Sequence, residues 1–318
     1  MNYQNKISSY HLSVLDEKFI NMKTQEDNTH LMESYSLAKY GSKKDIKIFA
    51  NIIVKNFFRL LDEGNNSLTK LLETAKENDD FIVLMTPGYR NVKASANIMF
   101  DLALPIINTR LTLLNYPKIA NLKLPRLASP CENYATLTEE ERKEVALTTD
   151  HILPDKEFYD GRRVHVIYGD DIHITGSSSD RARLSALKNG ALSFISIYSI
   201  IIDHEVALYN PAIEEKINLS KVTGKLDNSA LEIFEQEDFI PVLRSLRLIL
   251  NESNKSTLVN FISKIPNKNL LKIYIAYMSN ESLDNGKHND SISIIRDSLV
   301  EKKLIQNDGN LIGELCEL

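Results

Sequence analysis

Two adjacent carboxylates, Asp170 and Asp171, are followed closely by the run Thr175-Gly176-Ser177-Ser178, and these are the residues whose types and spacing could do chemistry. They sit in the segment VHVIYGDDIHITGSSS, Val164–Ser179, in which an apolar strand runs into polar residues and then into a helix. A turn rich in glycine and hydroxyl residues at a helix start presents unpaired N–H groups, and the helix dipole adds positive potential, so a phosphate dianion is favoured there. Gly176 lets the backbone approach phosphate oxygens without a Cβ in the way. Two carboxylates at a strand's end can accept hydrogen bonds from a vicinal diol such as that of a ribose. An ordinary polar loop whose aspartates cap the helix is the alternative, and it leaves the Thr-Gly-Ser-Ser run unexplained. His173 is open to two readings, a group titrating near neutrality or a packing residue.

A second unit lies upstream. Phe81–Arg90 (FIVLMTPGYR) reads as a strand ending in a turn, with Thr86, Pro87, Gly88, Tyr89 and Arg90 as the loop and Arg90 and Lys93 as cations for a charged group. Pro87 and Gly88 permit unusual backbone geometry that turns N–H groups inward. A plain strand-to-helix turn with surface cations is the competing reading. Between the two units Leu124–Pro154 has no core signal, and a stretch of that kind is functional or disordered. Lys118, Lys123, Arg126 and Arg142, within about 115–160, are candidate cations of the region between the two units, each equally open to a solvated surface role.

The elements that must position these residues follow from periodicity. Asp45–Leu61 has helical spacing in Ile46, Phe49, Ile52, Ile53, Phe57 and Leu60, and Ser67–Glu77 reads as a short helix. Asp80–Met85 is a strand and Asn91–Leu104 a helix that Pro105 closes, with Ile106–Leu114 as the next strand. Val164–Tyr168 is a strand, Gly169–Ser179 a polar turn, and Arg181–Lys188 a helix stopped at Asn189-Gly190. Ala191–Ile202 is the strand after it. This order predicts an α/β domain with a largely parallel sheet, whose carboxyl edge is where ligands bind. Residues 1–35 read as an arm with one or two helical turns. Beyond Ala230 the segments Ile240–Leu250, Thr257–Ile265, Asn269–Met278 and Ser291–Leu304 read as helices. The expected domains are thus 1–35, 36–229 with a loop over about 115–160, and a helical extension over 230–318.

Bulk properties narrow the class. Of 318 residues, 43% are hydrophobic and 25% charged, with a formal net charge of −5, so no basic field argues for nucleic-acid binding. Cys131 and Cys316 stand far apart without metal-ligand spacing, which predicts a reducing, cytoplasmic setting. The first residues lack a secretory pattern, and the longest apolar stretch, Ala191–Asp203, is too short to span a membrane.

The Val164–Ser179 segment resembles the phosphoribosyl pyrophosphate (PRPP) motif of type I phosphoribosyltransferases: an apolar strand, two acidic residues, a few variable positions, then Thr-Gly-x-Ser/Thr. The resemblance implies that fold, with Asp170 and Asp171 holding the ribose and, through ribose or water, Mg²⁺. Ile174, Thr175, Gly176, Ser177 and Ser178 would bind the 5′-phosphate, and Thr86–Arg90 the pyrophosphate. Arg90 would join the aspartates in catalysis, and the 115–160 region would be a mobile lid. YSLAKYGS (Tyr35–Ser42), NYATLTEEER (Asn133–Arg142) and NPAIEEKIN (Asn210–Asn218), with the carboxyl-terminal helices, look like a bacterial branch found beside tellurium-resistance-type and conflict-system genes. That likeness implies an antiviral-defence or stress role, and partners that are further copies of the chain or other cluster-encoded proteins.

Two positions depart from the family. Gly169 replaces an apolar residue, which would loosen the strand end. Ile174 stands where purine-salvage members carry an aspartate that handles the base's proton, which argues against hypoxanthine or guanine as acceptor. Transfer of phosphoribosyl to an unidentified base or nucleotide nitrogen is one implied function. A PRPP- or nucleotide-sensing subunit on the same fold is the other. A Rossmann-type dinucleotide binder lacks its G-x-G-x-x-G fingerprint here.

Overall fold

Short apolar runs bounded by turn residues become the middle of a mixed sheet. The structure, a computed structural model, describes residues 6–15, 18–126, 152–210, 212–280 and 289–312. Its strands are β1 (Lys6–Ile7), β2 (Tyr10–Leu15), β3 (Lys18–Asn21), β4 (Phe81–Met85), β5 (Ile119–Leu122), β6 (Val164–His173) and β7 (Ser193–Ile202). They form a seven-stranded sheet in the order β3-β2-β7-β6-β4-β5, with β1 pairing β7 ahead of β2. Every ladder is parallel except the β2–β3 hairpin. The helices as far as residue 218 are α1 (Thr29–Lys39), α2 (Lys43–Glu63), α3 (Ser67–Asn78), α4 (Ser95–Leu113), α5 (Lys156–Tyr159), α6 (Ser177–Asn189), α7 (His204–Tyr209) and α8 (Ile213–Asn218). Among the described residues no helix is long and apolar enough to cross a membrane.

The described residues divide into two compact units, one from Met1–Leu31, Lys47–Tyr89 and Ala96–Glu215, the other from Met32–Ile46, Arg90–Ser95 and Lys216–Leu318. The first unit holds the sheet. On one face Val83, Met85, Val164, Val166, Tyr168 and Phe194 pack under Ala182 and Ala186 of α6 and under Leu124 and Tyr159. Residues of β6 alternate between faces, so Gly169 lies on the other face. There the Phe100 ring of α4 occupies the space a Cβ on Gly169 would take, with ring atoms 2.5–2.7 Å from it. The glycine seats α4 and leaves the strand intact, contrary to the loosened end expected.

The second unit has its own core. In α9 (Asn228–Phe234), α10 (Leu243–Ile249), α11 (Lys255–Ile262), α12 (Asn267–Met278) and α13 (Asn289–Glu301) the apolar stripes converge. Phe234, Phe239, Leu246, Leu258, Phe261, Leu270, Ile273, Ile295 and Leu299 are buried there with Tyr40 and Val92. Ser36 Oγ donates to the Asn218 carbonyl and accepts from Val222 N–H in the same unit.

Three local expectations are corrected. Most of the amino-terminal arm is strand, and its helical turns are the start of α1 at Thr29: β1 and β2 extend the sheet beyond β7, and Ser8 fills the joint between them by donating to the Ser199 carbonyl at 2.9 Å. Helix α4 runs through Pro105 to Leu113, because Ala96, Met99, Ala103, Ile107 and Leu111 keep one buried helical face across the proline. Ile106–Leu114 is therefore not a strand, and β5 takes that role. The loop expected over about 115–160 holds β5, the buried Leu124 and α5; residues 127–151, including Arg142, lie outside the described residues.

Candidate functional site

Strands β4 and β6 are parallel neighbours, while β5 follows β4 on one side and β7 follows β6 on the other. The chain order thus reverses between β4 and β6, and in such sheets the crevice beyond the carboxyl ends at that reversal is where ligands bind. The two loops singled out by sequence leave from these two strands. The β4–β6 ladder ends at Met85↔Tyr168, so Thr86 departs the sheet just where β6 enters Gly169-Asp170-Asp171.

Strand β6 continues through the acidic pair to His173 because β7 pairs it as far as Ile201. The aspartates therefore belong to the strand, and the turn is confined to Ile174, Thr175 and Gly176. The pair is not equivalent. Asp170 is half-buried, and its Oδ1 accepts from the Asp171 N–H at 2.9 Å; Asp171 is only 3% exposed.

The loop after β6 has the shape an anion would use. Gly176 is the N-cap of α6 in the left-handed conformation, φ 79°, and supplies no side-chain cap. A Cβ there would stand 2.7 Å from His173 Nε2, so both conformation and space demand glycine. Thr175 Oγ1 and Ser177 Oγ are 3.1 Å apart, and Ser179 Oγ donates to the Gly176 carbonyl. Ile174 is buried, so only its backbone is placed to meet a ligand. At the far end of α6, Gly190 is the left-handed C-cap that Asn189-Gly190 foretold.

After β4, Asn97 of α4 donates to Thr86 Oγ1 and to the Pro87 carbonyl, both at 2.9 Å, and fixes the start of the loop. Among the described residues no peptide is cis, and Gly88 is not in the left-handed region, so the unusual backbone expected at Pro87-Gly88 is not found. Tyr89 N–H donates to the Leu124 carbonyl, and Lys123 Nζ lies 4.7 Å from the centre of the Tyr89 ring. Lys123 is thereby brought to this loop, at the carboxyl end of β5. Lys118 precedes β5 and lies at the opposite edge of the sheet, away from the site. Arg126 follows the Tyr89–Pro125 bridge and is half-buried. Arg90 and Lys93 belong to the second unit.

Sequence reasoning passed over several residues near the site. Lys6 of β1 hydrogen-bonds His173 Nε2 at 2.7 Å. Tyr198 of β7, 2% exposed, pairs in register with Asp170 and sets its ring edge-on to His173, centroids 5.0 Å apart. Burial raises the Tyr198 hydroxyl's pKa, and the nearby Ser179 and Ser196 hydroxyls counter it. The His173 imidazole is pushed down to about 3, first by burial and then by Lys6, with His204 and His11 adding to it, so it is neutral. That favours the packing reading of His173 over titration near neutrality. A lone amide in an apolar helix start, as in SANIMF, was the available signal for Asn97; nothing in the sequence pointed to Lys6.

Among the described residues no group of three or more His, Cys, Asp and Glu side chains is arranged to hold a metal. A half-exposed carboxylate beside a buried one suits a hard cation that keeps water and ligand oxygens around it. No protein-family model matches the sequence, and no curated protein and no solved structure matches the chain.

Proposed function

We propose that the chain binds PRPP across the β4–β6 reversal and transfers its phosphoribosyl group to a nitrogen acceptor, releasing pyrophosphate. One observation carries this reading: the loop Thr86–Tyr89 and the loop Ile174–Ser178 leave neighbouring parallel strands at the point where the chain order reverses. The uncapped start of α6 receives the 5′-phosphate, Asp170 accepts from the ribose hydroxyls, and the β4 loop faces the pyrophosphate. The C1–O bond to pyrophosphate breaks, the N–C1 bond forms, and the acceptor's proton leaves to solvent. The protein's share is position and charge: two loops fix the ends of the ligand, so that the cationic C1 centre forms within reach of the acceptor. Mg²⁺, held through ribose hydroxyls and water on the Asp170 side, would neutralise the departing pyrophosphate.

Incubation with PRPP, Mg²⁺ and a panel of bases and nucleotides, read by pyrophosphate release, tests the reaction. Release dependent on one acceptor class and lost in Asp170→Asn is expected. Tight PRPP binding without turnover on any acceptor would remove the transferase reading and leave a sensor.

A further inference from the structure

We propose that Lys6, carried by the amino-terminal strand and held against His173, completes the anion site over Gly176 and is the ammonium that pairs with a bound phosphate monoester. The inference rests on the reading of this site given above, and extends it to a strand that the sequence did not connect with the site.

Four observations converge. First, Lys6 pairs with Ser196 at the centre of the sheet, and its Nζ reaches the loop after β6, 3.3 Å from where a Cβ on Gly176 would stand. Second, Lys6 is half-buried, yet among the described residues it has no carboxylate ion pair; its hydrogen bond goes to a neutral imidazole. Burial lowers its pKa, with Asp180 raising it and Arg183 lowering it again. A partly desolvated ammonium with so little compensation is a cation prepared for an anion. Third, the ring it touches is 6% exposed, and among the described residues His173 Nδ1 has no hydrogen-bond partner, while Nε2 is aimed at the glycine of the loop. Fourth, the buried Tyr198 hydroxyl stands beside Ser179 in the first turn of α6 and beside Ser196, within the fields of Asp170 and Asp180.

The charge around the site is mixed. Asp180 in the first turn opposes an anion, and Arg183, 3.9 Å from it, answers that charge. Without Lys6 these two would nearly cancel and leave the phosphate to uncharged backbone N–H and hydroxyl donors. Lys6 adds a positive charge to the cradle, and its ammonium can leave His173 for a phosphate oxygen by a small rotation of a flexible side chain. Phosphate monoesters of small sugars are the class of ligand this fits, because the cradle is one helix start wide and Asp170 stands beside it.

The test is calorimetric titration of the full chain with ribose 5-phosphate, inorganic phosphate and PRPP, in wild type, Lys6→Gln and Lys6→Arg. Loss of a charged hydrogen bond should weaken ribose 5-phosphate and phosphate about tenfold or more in Lys6→Gln, while Lys6→Arg stays within about threefold of wild type. Trace acylation of the wild-type protein, read by mass spectrometry, supplies a result even where a variant does not fold. Ribose 5-phosphate should protect Lys6. Binding by Lys6→Gln at wild-type strength, or an unprotected Lys6 in the saturated protein, overturns the inference while leaving PRPP binding intact. Ribose 5-phosphate binding that depends on Lys6, without any binding of PRPP, removes the PRPP reading and leaves the phosphate site. Failure of wild type to bind any of the three removes both.

Discussion

An ionised carboxylate taken out of water must recover its lost hydration from neighbouring donors, and the two adjacent aspartates differ in how far this has happened. Asp171 is buried inside a paired strand, whereas Asp170 keeps part of its surface. Their substitutions should therefore separate binding from stability. Asp171→Ala is expected to cost about 2 kcal/mol, a fall in Tm of about 4–8 °C, because it empties the space of a side chain that is 3% exposed. Asp170→Asn should leave Tm within about 1 °C and weaken PRPP at least about tenfold, the worth of a hydrogen bond from a ribose hydroxyl to a charged oxygen. Scanning calorimetry beside a binding titration checks both. Equal effects of the two changes on Tm would show that the burial difference has no energetic content. At this scale the sequence was informative about identity and silent about environment. DD and TGSS could be read as a ligand-binding pattern, but that one aspartate faces inward depends on β7, whose pairing is set by residues some tens of positions away.

Elements hold the site through two contacts that a local reading could not find. The first is Gly169 against Phe100. Gly169→Val drives a branched side chain into the ring and should destabilise by about 1–3 kcal/mol, as overpacking does. Adding Phe100→Ala opens the space, so the double variant should recover part of that loss beyond additivity in urea unfolding; strict additivity would mean the two do not meet. The second is a network at the amino edge of the sheet, the end away from the site. Asp80 accepts from Arg163 Nε at 2.5 Å and pairs with His165 Nε2 at 3.0 Å, and His165 Nδ1 lies 2.7 Å from Ser193 Oγ, joining the starts of β4, β6 and β7. Burial alone would raise the Asp80 pKa, but the Arg163 and His165 hydrogen bonds outweigh it and hold the carboxyl below its ordinary 3.8. A carboxyl lowered by folding stabilises fully above its unfolded pKa, and the contribution fades as pH falls through the folded value. Asp80→Asn should thus cost about 2–3 kcal/mol near pH 7, and the gap from wild type should narrow below pH 3.8. Urea midpoints at pH 7 and pH 3 measure it; a gap unchanged between them would show that Asp80 is not held low. These elements were legible where an apolar run ended in a strong stop, as at Phe81–Met85 and Asn189-Gly190. They were illegible where tertiary pairing overrode local chemistry. Polar residues 169–173 stay extended because β7 pairs them, and α4 crosses Pro105 because its buried face continues.

For the whole chain, the division of labour is between a sheet unit that carries the two candidate loops and a helical unit that buries its own stripes. The stripes beyond residue 230 could have been a docking surface or a core, and the structure makes them a core. Deleting residues after Asn251 takes away Leu258, Phe261, Leu270, Ile273, Ile295 and Leu299 together. Burial of each is worth about 1.5–3 kcal/mol, which in sum exceeds the net stability of a domain. The truncated chain should lose cooperative unfolding of that unit or precipitate; a soluble truncation with an intact second transition in calorimetry would contradict this. The α/β class and the site's two loops were readable from sequence. The amino-terminal strands were not, since β2 alternates only weakly and β1 is two residues long, so the sheet's edge had no pattern to announce it. The central claim is that one ligand bridges the two loops at the β4–β6 reversal. Amide hydrogen exchange with and without PRPP and Mg²⁺ tests it most directly. Joint slowing of exchange in Thr86–Tyr89, except Pro87, and in Thr175–Ser178 is the result this account predicts; PRPP that leaves both segments unchanged, or protects only other parts of the chain, would contradict it.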